Sequence, residues 1–416
     1  MDYIERNITG LLRRNDAGFK CLLVTGPRQC GKSTLLQRLF PDRRYVTLDD
    51  PFLAEQAQND PSLFVELNPP PVIFDEVQHS TALFPFLKIR CDESQTNGLF
   101  CLSGSLPFEL MRNVSETLAG RVSVVELSTL SLREIQGQDG NDPFVPTSEY
   151  IRRRAKIAVK PDNIWQIIHR GGYPALQDPR VEWSQFFASY VKTYLERDIR
   201  SLSAVQNLDD YRRFMVAVAA RTGQILNYAN IADEIGRDAK TVKNWVALLE
   251  ASGIIYLLEP YAASTLKRTI KAPKLYFRDT GLAAYLTRWL TPETLAVGAM
   301  NGAMFETFVI GEIIKSYANR GIDYRYAISY YRGRDKQRKS GQAPHEAEID
   351  LIIEENGRLH PVEVKQSTSP NTNQARAFRV LRNIPERQLG EGAIVCLAPS
   401  PARLEENLWA IPAWYI

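Results

Sequence analysis

The sequence has little that would mark a secreted, membrane or zinc-binding protein. Its five cysteines, at 21, 30, 91, 101 and 396, are odd in number, scattered and without C-x-x-C spacing. That argues against a disulfide framework or a zinc site and points to a reducing cytoplasm. No apolar run approaches the ~20 residues that cross a bilayer, and the opening Met1-Asp2-Tyr3-Ile4-Glu5 lacks the pattern of a secretion signal. Membrane insertion is not expected. Charge of one sign is also missing: the formal net charge is +3 with four histidines. Bulk charge therefore announces no nucleic-acid binder, and only local basic clusters could. What remains, 44% hydrophobic and 24% charged in 416 residues, suits a globular chain of two to four domains.

The chain is organised around Gly26-Pro27-Arg28-Gln29-Cys30-Gly31-Lys32-Ser33-Thr34, directly after the apolar Cys21-Leu22-Leu23-Val24. This is strand, phosphate loop and helix, in the pattern G-x-x-x-x-G-K-[ST]. Gly26 and Gly31 let the backbone N–H groups turn into one concavity at a helix N-terminus, which favours phosphate oxygens. Lys32 can reach β- and γ-phosphates and the Ser33 hydroxyl can ligate Mg²⁺. Cys30 reads as a tolerated small residue. Before the loop, residues 2–14 read as an amphipathic helix with Tyr3, Ile4, Ile8, Leu11 and Leu12 near one face.

A second strand, Tyr45–Leu48, and a helical stretch over 52–67 broken near Pro61 lead to Val72-Ile73-Phe74-Asp75-Glu76. Adjacent carboxylates at a strand end suit Mg²⁺-dependent hydrolysis of a nucleoside triphosphate. Asp75 would hold the metal and Glu76 would orient and deprotonate the attacking water. A fourth strand, 99–102, ends in Ser103-Gly104-Ser105, where either Ser103 or Ser105 could sense the γ-phosphate from between the two motifs. Leu118-Ala119-Gly120-Arg121 precedes a fifth strand, 122–127. Arg121 is read as an arginine finger acting on a neighbouring subunit, as an in-chain sensor, or as a solvated loop residue. Five strands alternating with helices imply a parallel sheet with nucleotide at its C-terminal edge.

These segments, G-P-R-Q-x-G-K-S-T, D-E-V-Q at 75–78, L-S-G-S at 102–105 and L-A-G-R at 118–121, resemble a prokaryotic family of AAA-type ATPases with a long C-terminal region of unassigned function. Gly171-Gly172-Tyr173-Pro174 and Tyr194-Leu195-Glu196-Arg197-Asp198-Ile199 resemble further segments of that family. The resemblance implies ATP as the nucleotide; Ser103 stands where threonine is frequent in the family. A homo-oligomer is required only if Arg121 acts in trans.

Residues 136–150 have loop composition, and Arg152-Arg153-Arg154-Ala155-Lys156 reads by default as a solvated helix face. Asn227–Gly236, a short turn and Ala239–Glu250 form a helix-turn-helix pattern. Val242, Trp245, Val246 and Leu249 take the core side, leaving Lys240, Lys243 and Asn244 outward. A following strand, 254–258, completes a winged helix-turn-helix, whose second helix enters a DNA major groove. Lys267-Arg268-Thr269-Ile270-Lys271-Ala272-Pro273-Lys274 reads as a wing or a phosphate contact. Protein partners are the alternative for such a domain.

Near the C-terminus, Asn356-Gly357 between two alternating runs signals a type I′ hairpin. Positions equidistant from that turn pair, so Asp350 sits opposite Glu363 and Glu348 opposite Lys365, all on one face. Ile349 with Val364 and Leu351 with Val362 supply the other face. Three carboxylates and a lysine are a poor way to stabilise a sheet and a good way to hold a divalent metal beside a general base. Asp350…Glu363-Val364-Lys365 resembles the core of PD-(D/E)xK nucleases, although Asp350 follows Ile349 rather than proline. That resemblance implies Asp350 and Glu363 as Mg²⁺ ligands, Lys365 assisting the attacking water, and a further acid from a preceding helix, taken as Glu306 rather than Glu312. Arg332, in a stretch from Tyr330 to Lys339 that mixes aromatics and cations, is assigned to a scissile phosphate. The expected organisation is a P-loop NTPase domain over 1–135 with a parallel sheet and a linker and helical region over 136–205. A winged helix over 206–285 and a small α/β nuclease-like domain over 286–416 follow. ATP, Mg²⁺ and DNA are the expected partners.

Overall fold

Short apolar runs separated by helices build a five-stranded sheet in the N-terminal third of the computed structural model. The structure describes residues 3–104, 114, 116–138, 142–194, 207–262, 272–334, 346–384 and 387–416. Strands β1 (Cys21–Thr25), β2 (Arg44–Thr47), β3 (Val72–Asp75), β4 (Phe100–Ser103) and β5 (Val122–Glu126) run parallel in the order β2-β3-β4-β1-β5. β1, β3 and β4 are buried along their whole length, as parallel strands covered on both faces must be.

One face is covered by α1 (Thr9–Gly18) and α2 (Lys32–Leu39), through Leu11, Leu12, Leu35 and Leu36. The other is covered by α3 (Pro51–Asn59), α4 (Pro61–Leu67) and α5 (Leu83–Glu93), through Ala57, Phe64, Phe84 and Leu87. The break at Pro61 has a local cause: Asp60 ends α3 and its side chain caps α4 at Leu63 N–H, with proline at the first helical position. The first helix starts at Thr9, not at residue 2. Residues before it are claimed by long-range bonds, with Arg6 donating to Glu134 Oε1 (3.1 Å), Cys30 O (3.0 Å) and Ser128 O (2.7 Å).

Helices α6 (Leu132–Ile135), α7 (Ser148–Arg154), α8 (Ile164–Arg170) and α9 (Trp183–Tyr194) follow. The α7 basic cluster is not uniformly solvated. Arg153 pairs with Glu149, whereas Arg154 is buried and donates to Tyr415 O and Gln138 Oε1. Then come α10 (Leu208–Ala219), β6 (Gln224–Ile225), α11 (Tyr228–Ile235), α12 (Ala239–Ala251), β7 (Ile255–Leu258) and β8 (Lys274–Phe277). The three strands form an antiparallel sheet ordered β6-β8-β7.

After α13 (Thr280–Leu286) and α14 (Pro292–Val297), the long helix α15 (Asn301–Ala318) leads into a mixed sheet. Its strands are β9 (Ile328–Arg334), β10 (Glu346–Glu355), β11 (Arg358–Val364), β12 (Gln388–Leu389), β13 (Gly392–Cys396), β14 (Ala402–Glu405) and β15 (Leu408–Pro412). They are ordered β14-β15-β13-β11-β10-β9, with β12 also on β11. One apolar core takes residues from Leu132 to Ile416, joining the middle of the chain to one face of this sheet, and a second covers the other face. Among the described residues no helix is long and apolar enough to cross a membrane, and all five cysteines are free and buried.

Candidate functional site

The phosphate loop leaves β1 at Thr25 and enters α2 at Lys32. Gly26 has φ 142°, and a Cβ there would lie 2.2 Å from Leu127 O, so only glycine fits between the loop and the chain leaving β5. Gly31, at φ 96°, caps α2 and has no side chain to accept from the first-turn N–H groups of Lys32, Ser33 and Thr34. In its donor chemistry that is an anion cradle. Pro27 and Cys30 are buried, Arg28 and Ser33 half-buried, Gln29 and Thr34 exposed. Lys32 is buried, its ammonium donating to Gly26 O (3.1 Å) and Pro27 O (3.0 Å), the loop's own carbonyls.

Asp75 ends β3, and Ser103 ends β4, which lies between β1 and β3. The Ser103 hydroxyl donates to Asp75 Oδ1 and the Tyr45 phenol to Asp75 Oδ2. Tyr45 also meets Ser33 and Gln37; burial, then the Asp75 bond, pushes its phenol up to about 12. The donor set around Asp75 and Ser33 therefore suits Mg²⁺: a buried carboxylate and a hydroxyl brought together by one tyrosine. Glu76 follows in a left-handed conformation, φ 54°, with its carboxylate held by the Gln78 amide. Ser105 lies outside the described residues.

Arg121 is on the other side of the sheet. It precedes β5, its carbonyl accepts from Cys21 N–H at the start of β1, and its guanidinium pairs with Asp92. The strands put roughly 15 Å between it and the phosphate loop. An in-chain sensor role is thereby corrected: a residue that begins a parallel strand cannot reach the edge where the strand ends.

The middle of the chain covers the loop instead. Pro174 approaches Gly31, and Gly253, just past the C-terminus of α12, lies against Pro27. Gly172 N–H donates to Asp279 Oδ2 (2.8 Å) and Gly172 O accepts from Leu130 N–H (2.7 Å). Arg278 reaches back to Glu126 at the end of β5. The Gly171–Pro174 turn thus packs on the nucleotide edge, and Arg278 and Asp279 belong to the same junction. Nothing local in the sequence singles out that pair, because their partners are more than a hundred residues away.

The second constellation is built by the hairpin. Asn356 and Gly357 have φ 50° and 76°, as a type I′ turn requires, and Leu351 pairs with Val362 and Glu355 with Arg358. Past Leu351 the ladder yields to side chains: Asp350 Oδ2 accepts from Val364 N–H (2.9 Å). Lys365 Nζ lies 2.7 Å from Glu363 Oε1 and 4.0 Å from Asp350 Oδ2. Glu306, from the first turns of α15, joins this group, whereas Glu312 faces away and accepts from Leu132 N–H (2.8 Å). Burial and then the Asp350 charge push Glu306 to about 7 and Glu363 to about 8. Burial works against the Lys365 cation, but the carboxylates outweigh it and raise its pKa.

Lys274 is the residue the sequence misassigns. It is not a wing residue at a surface but the start of β8, 3% exposed in its side chain, 2.7 Å from Glu348, 3.3 Å from Glu306 and 3.5 Å from Asp350. Tyr276, two residues on, donates to Glu306 Oε1 (2.6 Å). Among the described residues, no group of three or more acidic, histidine or cysteine side chains is arranged to hold a metal ion. The carboxylates are drawn to ammonium groups instead.

Lys240, Lys243 and Asn244 are exposed on α12, opposite buried Val242, Trp245, Val246 and Leu249. Arg332 is exposed on β9, paired with Glu348. Tyr330, expected beside it on an aromatic loop, is instead buried in strand β9 and donates to Ala272 O. The stretches 263–271 and 335–345 lie outside the described residues.

A parallel sheet in this order, with a phosphate loop after β1 and a carboxylate closing β3, is the architecture of a P-loop NTPase domain. Residues 18–136 match a family model described as an AAA domain. Residues 161–293 and 301–416 match models described as domains of unknown function, DUF8612 and DUF4143. The chain is 27% identical over 413 residues to uncharacterised proteins of Mycobacterium bovis and Mycobacterium tuberculosis, covering 98% of this chain and 83% of each relative. Among solved structures it is similar to a Walker-type ATPase of Pyrococcus abyssi, at 16% identity and TM-score 0.41, covering 68% of this chain and 96% of that one. It is also similar to AMPPCP-bound DnaA of Aquifex aeolicus, at 15% identity and TM-score 0.28, covering 58% and 85%.

Proposed function

We propose that this chain is a cytoplasmic, Mg²⁺-dependent ATPase that gates a nucleic-acid-facing C-terminal half, with parts 1–135, 136–205, 206–285 and 286–416. The carrying observation is the convergence of Lys32, Ser33, Asp75 and Ser103 at one sheet edge, around an α2 N-terminus with no side-chain cap. Ser33 and Asp75 would hold Mg²⁺, which supplies charge neutralisation at the phosphates. Lys32 leaves two loop carbonyls to meet phosphate, Ser103 stays on Asp75, and Glu76 orients and deprotonates water. Arg121, paired with Asp92 at the far end of the strands, would meet nucleotide only in a neighbouring subunit and otherwise serves as a solvated loop residue.

The helix order α10-β6-α11-α12-β7-β8 supports a winged helix that offers Lys240, Lys243 and Asn244 to DNA. The same α12 ends on Pro27, which supports a link between nucleic-acid and nucleotide occupancy. The C-terminal hairpin supports a nuclease-like fold with Asp350, Glu363, Lys365 and Glu306 in one cluster. A second reading, a nucleotide switch that binds a protein or nucleic acid without cutting it, is favoured by Lys274 among those carboxylates.

ATP hydrolysis by the purified chain, with and without duplex and single-stranded DNA, tests the proposal. Stimulation by one form that is lost in a K240E/K243E variant supports a coupled motor. Hydrolysis indifferent to every nucleic acid supports the switch, and no hydrolysis at all refutes the ATPase assignment.

A further inference from the structure

Lys274 holds an unusual position. Its ammonium is enclosed by Glu306 of α15 and by Glu348 and Asp350 of β10, yet it comes from neither element but from β8 of the preceding three-stranded sheet. Tyr276 shares its strand face and engages the same Glu306 oxygen. β8 therefore inserts two donors into a cluster whose other members belong to the C-terminal sheet and its helix. Among the described residues, the carboxylates Glu306, Glu348, Asp350 and Glu363 lie against the ammonium groups of Lys274 and Lys365, with Arg332 beside Glu348 in the ladder. Glu363 Oε1 meets Lys365, but among the described residues its buried Oε2 has no hydrogen-bond partner. A buried carboxylate oxygen without a donor is costly unless a proton or cation reaches it.

We propose that Lys274 is the resident cation of this cluster, standing in place of a divalent metal, and that the cluster takes such a metal only when the Lys274 ammonium is removed from it. The inference rests on the reading of the carboxylates as a metal-capable set. Carboxylates splayed around an ammonium at 2.7–3.5 Å are not poised at the 2.0–2.6 Å that a hard cation needs. A fixed positive charge at the centre also repels an incoming cation in a site of low dielectric. Removal of the Lys274 ammonium would leave Glu306, Asp350 and Glu363 facing one another with Lys365 beside them. The carboxylate set is then open to a metal, and the site is controlled by a residue of β8 rather than of the sheet and helix that carry the carboxylates.

The test is Mn²⁺ binding to the full-length chain, followed by electron paramagnetic resonance of the free ion. Wild type, K274Q and K274M are compared, each with and without D350A. D350A identifies the part of the signal that belongs to this cluster rather than to the phosphate loop. Binding of a fluorescent ATP analogue verifies that each variant is folded. The expected result is D350A-sensitive Mn²⁺ binding at least tenfold tighter in K274Q and K274M than in wild type. K274Q keeps a hydrogen-bond donor for Glu306 and Glu348 and serves if K274M does not fold. Micromolar D350A-sensitive binding by wild type overturns the proposal while leaving the metal reading intact, and needs no variant at position 274. Absence of D350A-sensitive binding in every folded variant overturns both.

Discussion

Tyr45→Phe removes one atom from the nucleotide edge, and its consequences can be worked through. The phenol donates to Asp75 Oδ2, and Asp75 is 4% exposed, with Ser103 on its other oxygen. With its pKa near 12 the phenol is neutral and a donor throughout the working range. Hydrogen bonds to a charged group contribute about 1.5–3 kcal/mol, and a buried carboxylate oxygen left without a donor forfeits that amount. At about 2–4 °C per kcal/mol for a domain of this size class, the unliganded variant should melt roughly 3–12 °C below wild type. Mg²⁺ would give Asp75 a new partner, so with saturating Mg²⁺-ATP the gap should narrow. The same free energy then reappears as tighter apparent Mg²⁺-ATP binding, about tenfold for each ~1.4 kcal/mol. Thermal unfolding with and without Mg²⁺-ATP, with a fluorescent nucleotide titration, reads both quantities. An unliganded melting temperature within 1 °C of wild type, together with tenfold weaker nucleotide binding, would refute the reasoning. Tyr45 would then belong to the bound state.

Further outcomes follow from the same geometry. Glu76→Gln should abolish turnover while retaining ATP, and persistent turnover would remove Glu76 as the water-orienting group. Gly253→Ala puts a Cβ 3.1 Å from Pro27 Cδ at φ 71°, a strain of about 1 kcal/mol; nucleotide affinity should fall several-fold, and an unchanged affinity would show that α12 does not press on the loop. Glu306 and Glu363 are raised from 4.5 to about 7 and about 8, so the folded state binds more protons than the unfolded one. Their contribution is fully present below pH ~4.5 and is lost as pH rises through about 7–8. Stability should therefore decline from pH 5 to 9, and Glu363→Gln should flatten that slope in denaturant titrations at several pH values.

How far the sequence reached depended on the range of the interactions involved. The phosphate loop, β3 with its carboxylate and the Asn356-Gly357 hairpin were legible because glycine at positive φ, apolar runs and turn chemistry act within a few residues. The exposed and buried faces of α12 were legible for the same reason. Lys274 was not, since its partners are 32 to 76 positions away and a lysine after Ala-Pro looks like a surface residue. The N-terminal helix was overextended because Arg6 is taken up by Glu134, a partner no periodicity signals. Arg121 differs from these. That a residue preceding a parallel strand lies opposite the nucleotide edge was already implied by the strand pattern, and only the direction of β5 had to be applied.

Helix α15 gives the molecule a mechanical property. Every residue from Thr307 to Tyr317 is buried, so the helix has no free side along which it can bend or slip. Glu312 and Lys315 clasp the backbone at Leu132 and Leu130, just beyond the strand whose exit abuts Gly26. Glu306 stands about 9 Å further along the same rod, among the carboxylates. A displacement of the chain at 130–132 cannot be absorbed locally; it either stops at the clasp or arrives at Glu306 undiminished. Half an ångström that passes the clasp at 130–132 is therefore half an ångström at the acidic cluster, as with two jaws cut from a single bar.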